Sequence, residues 1–284
     1  MLRWLLAVVV LVAVPAADLA AADLTGTLKQ IKDTGKVRIG YRDAQPPMSF
    51  LGKDGTPAGY AIDLCREVAA EAQRAVGREV AIEYVALTAD NRFAALADNT
   101  IDLLCGATTR TISRSALVDF TLPTFVTGGA FMTLADTDVR NNFGGKKIGV
   151  VRGTTTVLEL KKLLADTAVA ADVVEFGATA EGVAALEKRA IDVFAADQVV
   201  LIGAALTSGD PGRFAVLPSI FSFEPFALAV RRNDADFRLV ADRVLAGLYR
   251  SKDILKIYDR WFGTFAGTRT AAFDAMIQLN AIPE

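Results

Sequence analysis

The sequence contains no histidine, and only two cysteines and two tryptophans. Without imidazole there is no Ser-His-Asp or Cys-His nucleophile system, no His-ligated zinc and no histidine acid–base step. Two cysteines cannot close a thiolate zinc site either, so neither a metal nor a cofactor is expected. No charge sign dominates, since 31 Lys plus Arg stand against 33 Asp plus Glu, a formal net charge of -2. That balance argues against nucleic acid as a partner, because phosphate binding needs a clustered positive field. Long apolar runs are also scarce: past the N-terminus the most apolar stretch is Val199 to Leu206, far short of the ~20 residues a membrane span needs.

The N-terminus is the exception. Arg3 precedes an uncharged apolar run from Trp4 to Ala17, and the small residues Ala20-Ala21-Ala22 follow before Asp23. A basic start, an apolar middle and an A-x-A site are the three parts of a secretory signal peptide. Residues 1–22 are therefore expected to be removed, leaving a soluble protein in the periplasm. A retained anchor is the alternative, and the run is too short for it. In an oxidising compartment Cys65 and Cys105 favour a disulfide, with two buried thiols as the alternative. Closing a loop of that length would stabilise the fold by about 4 kcal/mol on the chain-entropy model.

Length and pattern indicate two medium lobes rather than a string of domains. Short strands alternate with amphipathic helices: Val37 to Gly40, then Tyr60 to Ala75 with Ile62, Cys65, Val68, Ala69 and Ala72 at helical spacing. A second series begins at Lys147 to Val151 and runs through helices from Thr155, Ala180 and Gln198. Such alternation implies mostly parallel sheets flanked by helices. One echo supports two similar lobes. Phe93-Ala94-Ala95-Leu96 and, four residues on, Ile101-Asp102-Leu103-Leu104 match Val183-Ala184-Ala185-Leu186 and Ile191-Asp192-Val193-Phe194, ninety positions later. Ligands of open parallel sheets bind beyond the carboxyl ends of strands, here after Leu104 and after Phe194.

Those places carry suitable chemistry. Gly106 to Arg114 offers a close backbone approach, threonine hydroxyls and an arginine able to clamp a carboxylate; a polar surface loop is the alternative. Gly153-Thr154-Thr155-Thr156 begins a helix behind a glycine, which suits an anion, although an ordinary N-cap would look the same. The spacing and lysine of a nucleotide-binding P-loop are absent. Asp197 ends an apolar strand and needs a cationic partner, either a ligand ammonium or a lysine of the protein. Arg42 and Arg92 could each be a surface ion pair with Asp43 or Asp90. With Arg114, the anionic helix start and Asp197, however, they describe a site for a zwitterion with one further negative group.

These segments resemble a known family. TGTLKQIKDTGKVRIGYRD (Thr25 to Asp43), GYAIDLC (Gly59 to Cys65), NRFAAL (Asn91 to Leu96), IDLLCGATT (Ile101 to Thr109), VVRGTTT (Val150 to Thr156) and IYDRWFG (Ile257 to Gly263) are similar to the bacterial periplasmic solute-binding proteins (family 3) of polar amino-acid ABC importers. The likeness is strongest to the glutamate/aspartate-binding branch. It implies a two-lobed α/β fold of type II, each lobe a mostly parallel sheet flanked by helices, joined by a hinge of two crossings. Lobe one would comprise residues 25–123 and 227–284, lobe two 128–222, and the hinge 124–127 and 223–226.

The resemblance also implies roles. Arg114 would clamp an α-carboxylate with Thr109 and the amides of Thr154, Thr155 and Thr156, and Asp197 would hold the α-ammonium. Arg42 and Arg92 would grip a side-chain carboxylate, and Cys65 and Cys105 match a cysteine pair of the branch. Ala89 and Ala107 stand where the branch often has serines, Thr179 near a histidine position, and Gln45 where other branches place a stacking aromatic. The expected function is a monomeric, non-enzymatic carrier that closes on glutamate or aspartate and delivers it to an ABC permease. Alternatives are a carrier for another polar amino acid, a periplasmic dehydratase with Glu224 as its acid, and a sensory ectodomain.

Overall fold

The echoed helix–turn–strand unit builds the same position in two separate sheets. The computed structural model describes residues 24–137, 139, 142–263 and 269–283, so the expected signal peptide at 1–22 lies outside the described residues. In spatial order the first sheet runs Ala81–Ala86, Lys36–Tyr41, Leu103–Cys105, Glu224–Arg231, Val118–Thr127. The second runs Asp172–Phe176, Lys147–Val151, Val193–Asp197, Gly129–Leu134, Phe214–Val216. In each, the first three neighbours are parallel and the fourth strand is antiparallel. The two echoed segments, helix Arg92–Ala97 before Leu103–Cys105 and helix Thr179–Glu187 before Val193–Asp197, supply the central strand of each sheet. This is the two-lobed α/β architecture of the expected type II class.

Both sheets are covered on both faces, which is why their central strands read as unbroken apolar runs. Val193–Asp197 is buried along its whole length. On the first sheet, Ile31, Tyr60, Leu64, Phe125, Phe237 and Tyr249 pack one face, while Leu96, Ile101, Leu104 and Phe120 pack the other. On the second, Met132, Phe194 and Leu201 form one layer and Phe131, Ile148 and Leu160 the opposite one. Helix Tyr60–Val76 buries all five residues expected from its spacing and ends at Gly77, whose left-handed backbone lets its N–H cap the carbonyls of Gln73 and Arg74. A disulfide joins Cys65 of this helix to Cys105 of the central strand, 40 residues apart.

Several elements fall outside the expected set, helix Gly26–Thr34 and strands Gly129–Leu134 and Phe214–Val216 among them, and two others are instructive. Val118–Thr127 is one long strand despite Pro123, because it lies at the edge of its sheet, where a missing N–H is tolerated. Helix Ala271–Asn280 packs Phe273, Met276 and Ile277 into the first core, although that spacing is itself helical. The edge strand pairs antiparallel with Glu224–Arg231, Glu224 opposite Thr127 and Phe226 opposite Phe125. The chain thus passes between the two sheets at one place. Among the described residues no helix is long and apolar enough to cross a membrane.

Candidate ligand site between the lobes

The carboxyl ends of the central strands face a common cleft. Arg42 follows Lys36–Tyr41, Thr109 and Arg114 follow Leu103–Cys105, and Arg92 opens the helix that precedes that strand. From the other lobe come Gly153 to Thr156, after Lys147–Val151, and Asp197, at the end of Val193–Asp197. The lobes touch here. Nη2 of Arg92 and Nη2 of Arg114 both donate to the Gly153 carbonyl, at 3.0 and 3.2 Å. Arg152 meets Asp90 at 3.6 Å. Two glycines permit this approach: a Cβ on Gly153, whose φ is +70°, would lie 2.5 Å from the Asp90 carboxylate, and one on Gly203 would lie 1.9 Å from the Pro46 carbonyl.

Two of the three arginines are unusually dry, and Arg114 is half-buried. Arg92 is 2% exposed and Arg42 5% exposed, whereas arginine is rarely buried without a paired anion. Arg92 and Arg114 lie over the Phe93 ring at 4.4 and 5.4 Å, so both guanidiniums are held by one aromatic face. Arg92 also donates through Nη1 to the Ala89 carbonyl, while its Nε has no partner. Burial, then repulsion from Arg114 and Arg42, pushes its pKa down to about 9. Arg114, which donates to the Thr109 carbonyl at 2.9 Å, is lowered by burial against the opposing pull of Glu224 and Asp197. Arg42 is lowered by burial too, opposed by Asp43, Asp90 and Asp197.

Asp197 shares this space. One carboxylate oxygen, Oδ1, is buried without a hydrogen-bond partner, and no arginine comes within ion-pair range of it among the described residues. Burial, followed by repulsion from Glu224, raises its pKa to about 8; the fields of Arg114 and Arg92 oppose the rise. The neighbouring positions are arranged as follows. Thr154 occupies the N-cap of helix Thr155–Asp166 but gives its hydroxyl to Val151 O at 2.7 Å, leaving the first-turn amides without a side-chain cap. Thr156 is buried and the Thr109 hydroxyl lies 3.3 Å from that of Thr155. Of the eight candidate positions, Arg42, Arg92, Arg114 and Asp197 thus act on one another electrostatically and Thr109 meets Thr155 between the lobes, while Thr154 and Thr156 flank Thr155 at the same helix start.

Sequence reasoning passed over two contributors and named a third, Glu224, only as the acid of an enzymatic alternative. Phe93 and the Gly153 carbonyl matter only through placement in space. Glu224 is 1% exposed and accepts hydrogen bonds from the hydroxyls of Thr109, Thr155 and Ser222; a carboxylate set between Phe223 and Pro225-Phe226 was the available signal. Gln45 is buried beside Gly106 with Oε1 unpartnered. Thr179 is buried and, with Pro46, Phe50 and Ala204, lines an adjoining cavity of about 490 Å³ between the lobes. Among the described residues no cluster of His, Cys, Asp or Glu could hold a metal ion.

Comparison with known proteins follows the same lines. A family model for bacterial extracellular solute-binding proteins, family 3, matches residues 37–264. The L-glutamate/L-aspartate-binding protein of Pseudomonas aeruginosa is 31% identical over 262 residues, 91% of this chain and 87% of that one. Among solved structures, an ancestral arginine-binding protein bound to glutamine superposes with a TM-score of 0.72 at 26% identity, covering 81% of this chain and 98% of its own. The ancestral amino acid-binding protein AncCDT-1, a precursor of cyclohexadienyl dehydratase, gives 0.70 at 26% identity, with 84% and 100% covered.

Proposed function

The chain belongs to the bacterial extracellular solute-binding proteins, family 3, and from that footing we propose that it captures an L-amino acid, preferentially glutamate or aspartate, and delivers it as a monomer in the periplasm to an ABC permease. The observation that carries this reading is a set of charges gathered between the lobes, two of which, Arg92 and Asp197, are buried and incompletely paired. Arg42, Arg92 and Arg114 face Asp197 and Glu224 in one cleft. With all five ionised, that set holds one positive charge in excess; Asp90 is offset by its own partner Arg152, and Asp43 acts on Arg42 from outside the set. An amino acid with two carboxylates and one ammonium brings the complementary negative charge; a neutral one leaves the excess in place and lysine doubles it. In a water-excluded site that difference decides selectivity.

In this reading Arg114 and the first-turn amides of Thr154, Thr155 and Thr156 hold the α-carboxylate, with Thr109 beside them. Asp197 takes the α-ammonium, which supplies the partner its Oδ1 lacks. Arg42 and Arg92 hold the distal carboxylate. Closing an empty cleft strips water from all these groups, whereas closing on a ligand replaces the water with opposite charge. The ligand therefore favours the closed state because it meets both lobes, Arg114 on one and Asp197 on the other. The hinge is assigned to 124–127 and 223–226, between lobes at 25–123 with 227–284 and at 128–222.

The similarity to AncCDT-1 keeps an enzymatic alternative in view. Glu224 would be its acid, yet three hydroxyl donors already occupy that carboxylate as an acceptor, which supports a carrier over an acid catalyst. The test is calorimetric titration of ligand-stripped protein against the twenty amino acids. Glutamate and aspartate are expected to bind tightest; tighter binding of lysine or a neutral residue would overturn the acidic preference.

A further inference from the structure

Glu224 does more than fill a place in the hinge. Its Oε2 accepts the Thr109 hydroxyl of the first lobe at 2.5 Å and the Thr155 hydroxyl of the second at 2.7 Å. Its Oε1 accepts the Ser222 hydroxyl at 2.7 Å, and Ser222 Oγ in turn accepts the Gly129 N–H at 2.9 Å. One buried carboxylate thus ties a loop of the first lobe, a helix start of the second, and both chain crossings. We propose that Glu224 is a positioning residue that reports closure: its two-lobe junction forms only when the cleft shuts, and it fixes how Thr109 and Thr155 present themselves to the ligand.

Two consequences follow from elementary hydrogen-bond chemistry. A single oxygen cannot keep hydroxyls from both lobes once these separate, so opening sacrifices at least one charge-assisted bond. Such a bond biases the open–closed balance by about tenfold to a hundredfold. A hydroxyl also has only one proton. With that proton given to Glu224, Thr109 and Thr155 turn lone pairs toward the cleft and can serve a ligand carboxylate only through backbone N–H. The hydroxyl of Thr109 is therefore a structural donor, and Arg114 carries the α-carboxylate with backbone amides.

The substitution Glu224→Gln keeps the shape but removes the charge and half of the acceptor capacity. Spin labels introduced by Asp54→Cys and Lys188→Cys, both exposed and on opposite lobes, read the interlobe distance with and without glutamate. The expected result is a closed population reduced about tenfold in Glu224→Gln and in Thr155→Val, with restoration in Thr155→Ser. The two losses should not add in the double variant, because they break one junction. Glutamate affinity should fall by a similar factor through faster dissociation. An unchanged distance distribution and affinity in Glu224→Gln, or full additivity with Thr155→Val, would overturn the proposal. If Glu224→Gln does not fold, the Thr155→Val and Thr155→Ser pair decides alone. The affinity arm rests on the amino-acid reading; failure of the unsubstituted protein to bind glutamate would reject that reading, while the distances would still decide the role of Glu224.

Discussion

Buried carboxylates in the framework of the first lobe and the charges of Arg92 and Asp197 in the cleft are treated in opposite ways. Asp102 is fully buried and receives the Arg38 backbone N–H at 2.8 Å, the Arg38 guanidinium at 2.6 and 3.1 Å and the Gln30 amide at 3.2 Å. Asp63 is bound by Arg66, Arg260 and the Trp261 N–H at 3.0, 2.7 and 2.8 Å. These carboxylates tie helices and strands together and leave nothing to be satisfied. In the cleft, Asp197 keeps an oxygen without a partner and Arg92 a nitrogen. A fold that pairs its structural charges this thoroughly holds the others for something that arrives later.

Substitutions on the two sides should therefore fail differently. The largest effect is expected from Arg114→Ala, which should weaken binding of every amino acid about a thousandfold and leave ligand-free thermal stability unchanged or raised. Titration calorimetry and melting curves on the same preparation would show it; normal binding would mean the α-carboxylate is held elsewhere. Asp102→Ala is the opposite case. It removes the shared acceptor of Arg38 and Gln30, leaving Arg38 only Asn99, and should lower unfolding stability by about 2 kcal/mol in urea titrations, with affinity unaltered once the protein is folded. A change in affinity without a change in stability would dissolve the distinction between the two regions.

A finer test separates the arginines from one another. Arg92→Ala should cost glutamate about tenfold to a hundredfold in affinity but affect a neutral amino acid little, because only the distal carboxylate loses its partner. Equal losses for both ligands would reassign Arg92 to the α-carboxylate.

Much of this division was readable from sequence, and the reason is local. The echoed AAL helix and apolar strand specify their central place in each sheet through spacing alone, and ligands gather at the ends of such strands. Arg42, Arg92, Arg114 and Asp197 all sit at those ends, so their candidacy needed no coordinates. Strand Val118–Thr127 was not anticipated, and its Pro123 is tolerated because the strand lies at the sheet edge. Phe93 under two guanidiniums, the Gly153 carbonyl they share, and the hydroxyls around Glu224 were hidden for a different reason. The Gly153 and Glu224 contacts depend on two lobes meeting across the cleft and the Phe93 stacking on two separate segments of one lobe, and no pattern within a single segment encodes such a meeting.

The pH dependence sharpens the contrast at smaller amplitude. Asp197 has a pKa raised to about 8 in the ligand-free cleft, against roughly 3.9 in solvent. Between those values the closed protein holds a proton that the solvated carboxylate has lost. Its contribution is fully present below the lower value and is lost as pH rises through the upper one. Ligand-free protein should therefore lose stability from pH 5 to 8 at this residue, and Asp197→Asn should not. Calorimetric melts of both proteins at several pH values would check this; parallel pH profiles would contradict it.

The most direct measurement is a thermal melt of Asp197→Asn beside the unsubstituted protein, each with and without saturating glutamate. If the cleft carboxylate is held unpaired for a ligand ammonium, the variant melts higher than its parent when empty and gains nothing from glutamate. A variant that melts lower when empty, or that glutamate still stabilises as strongly as its parent, would show that Asp197 is one more structural charge.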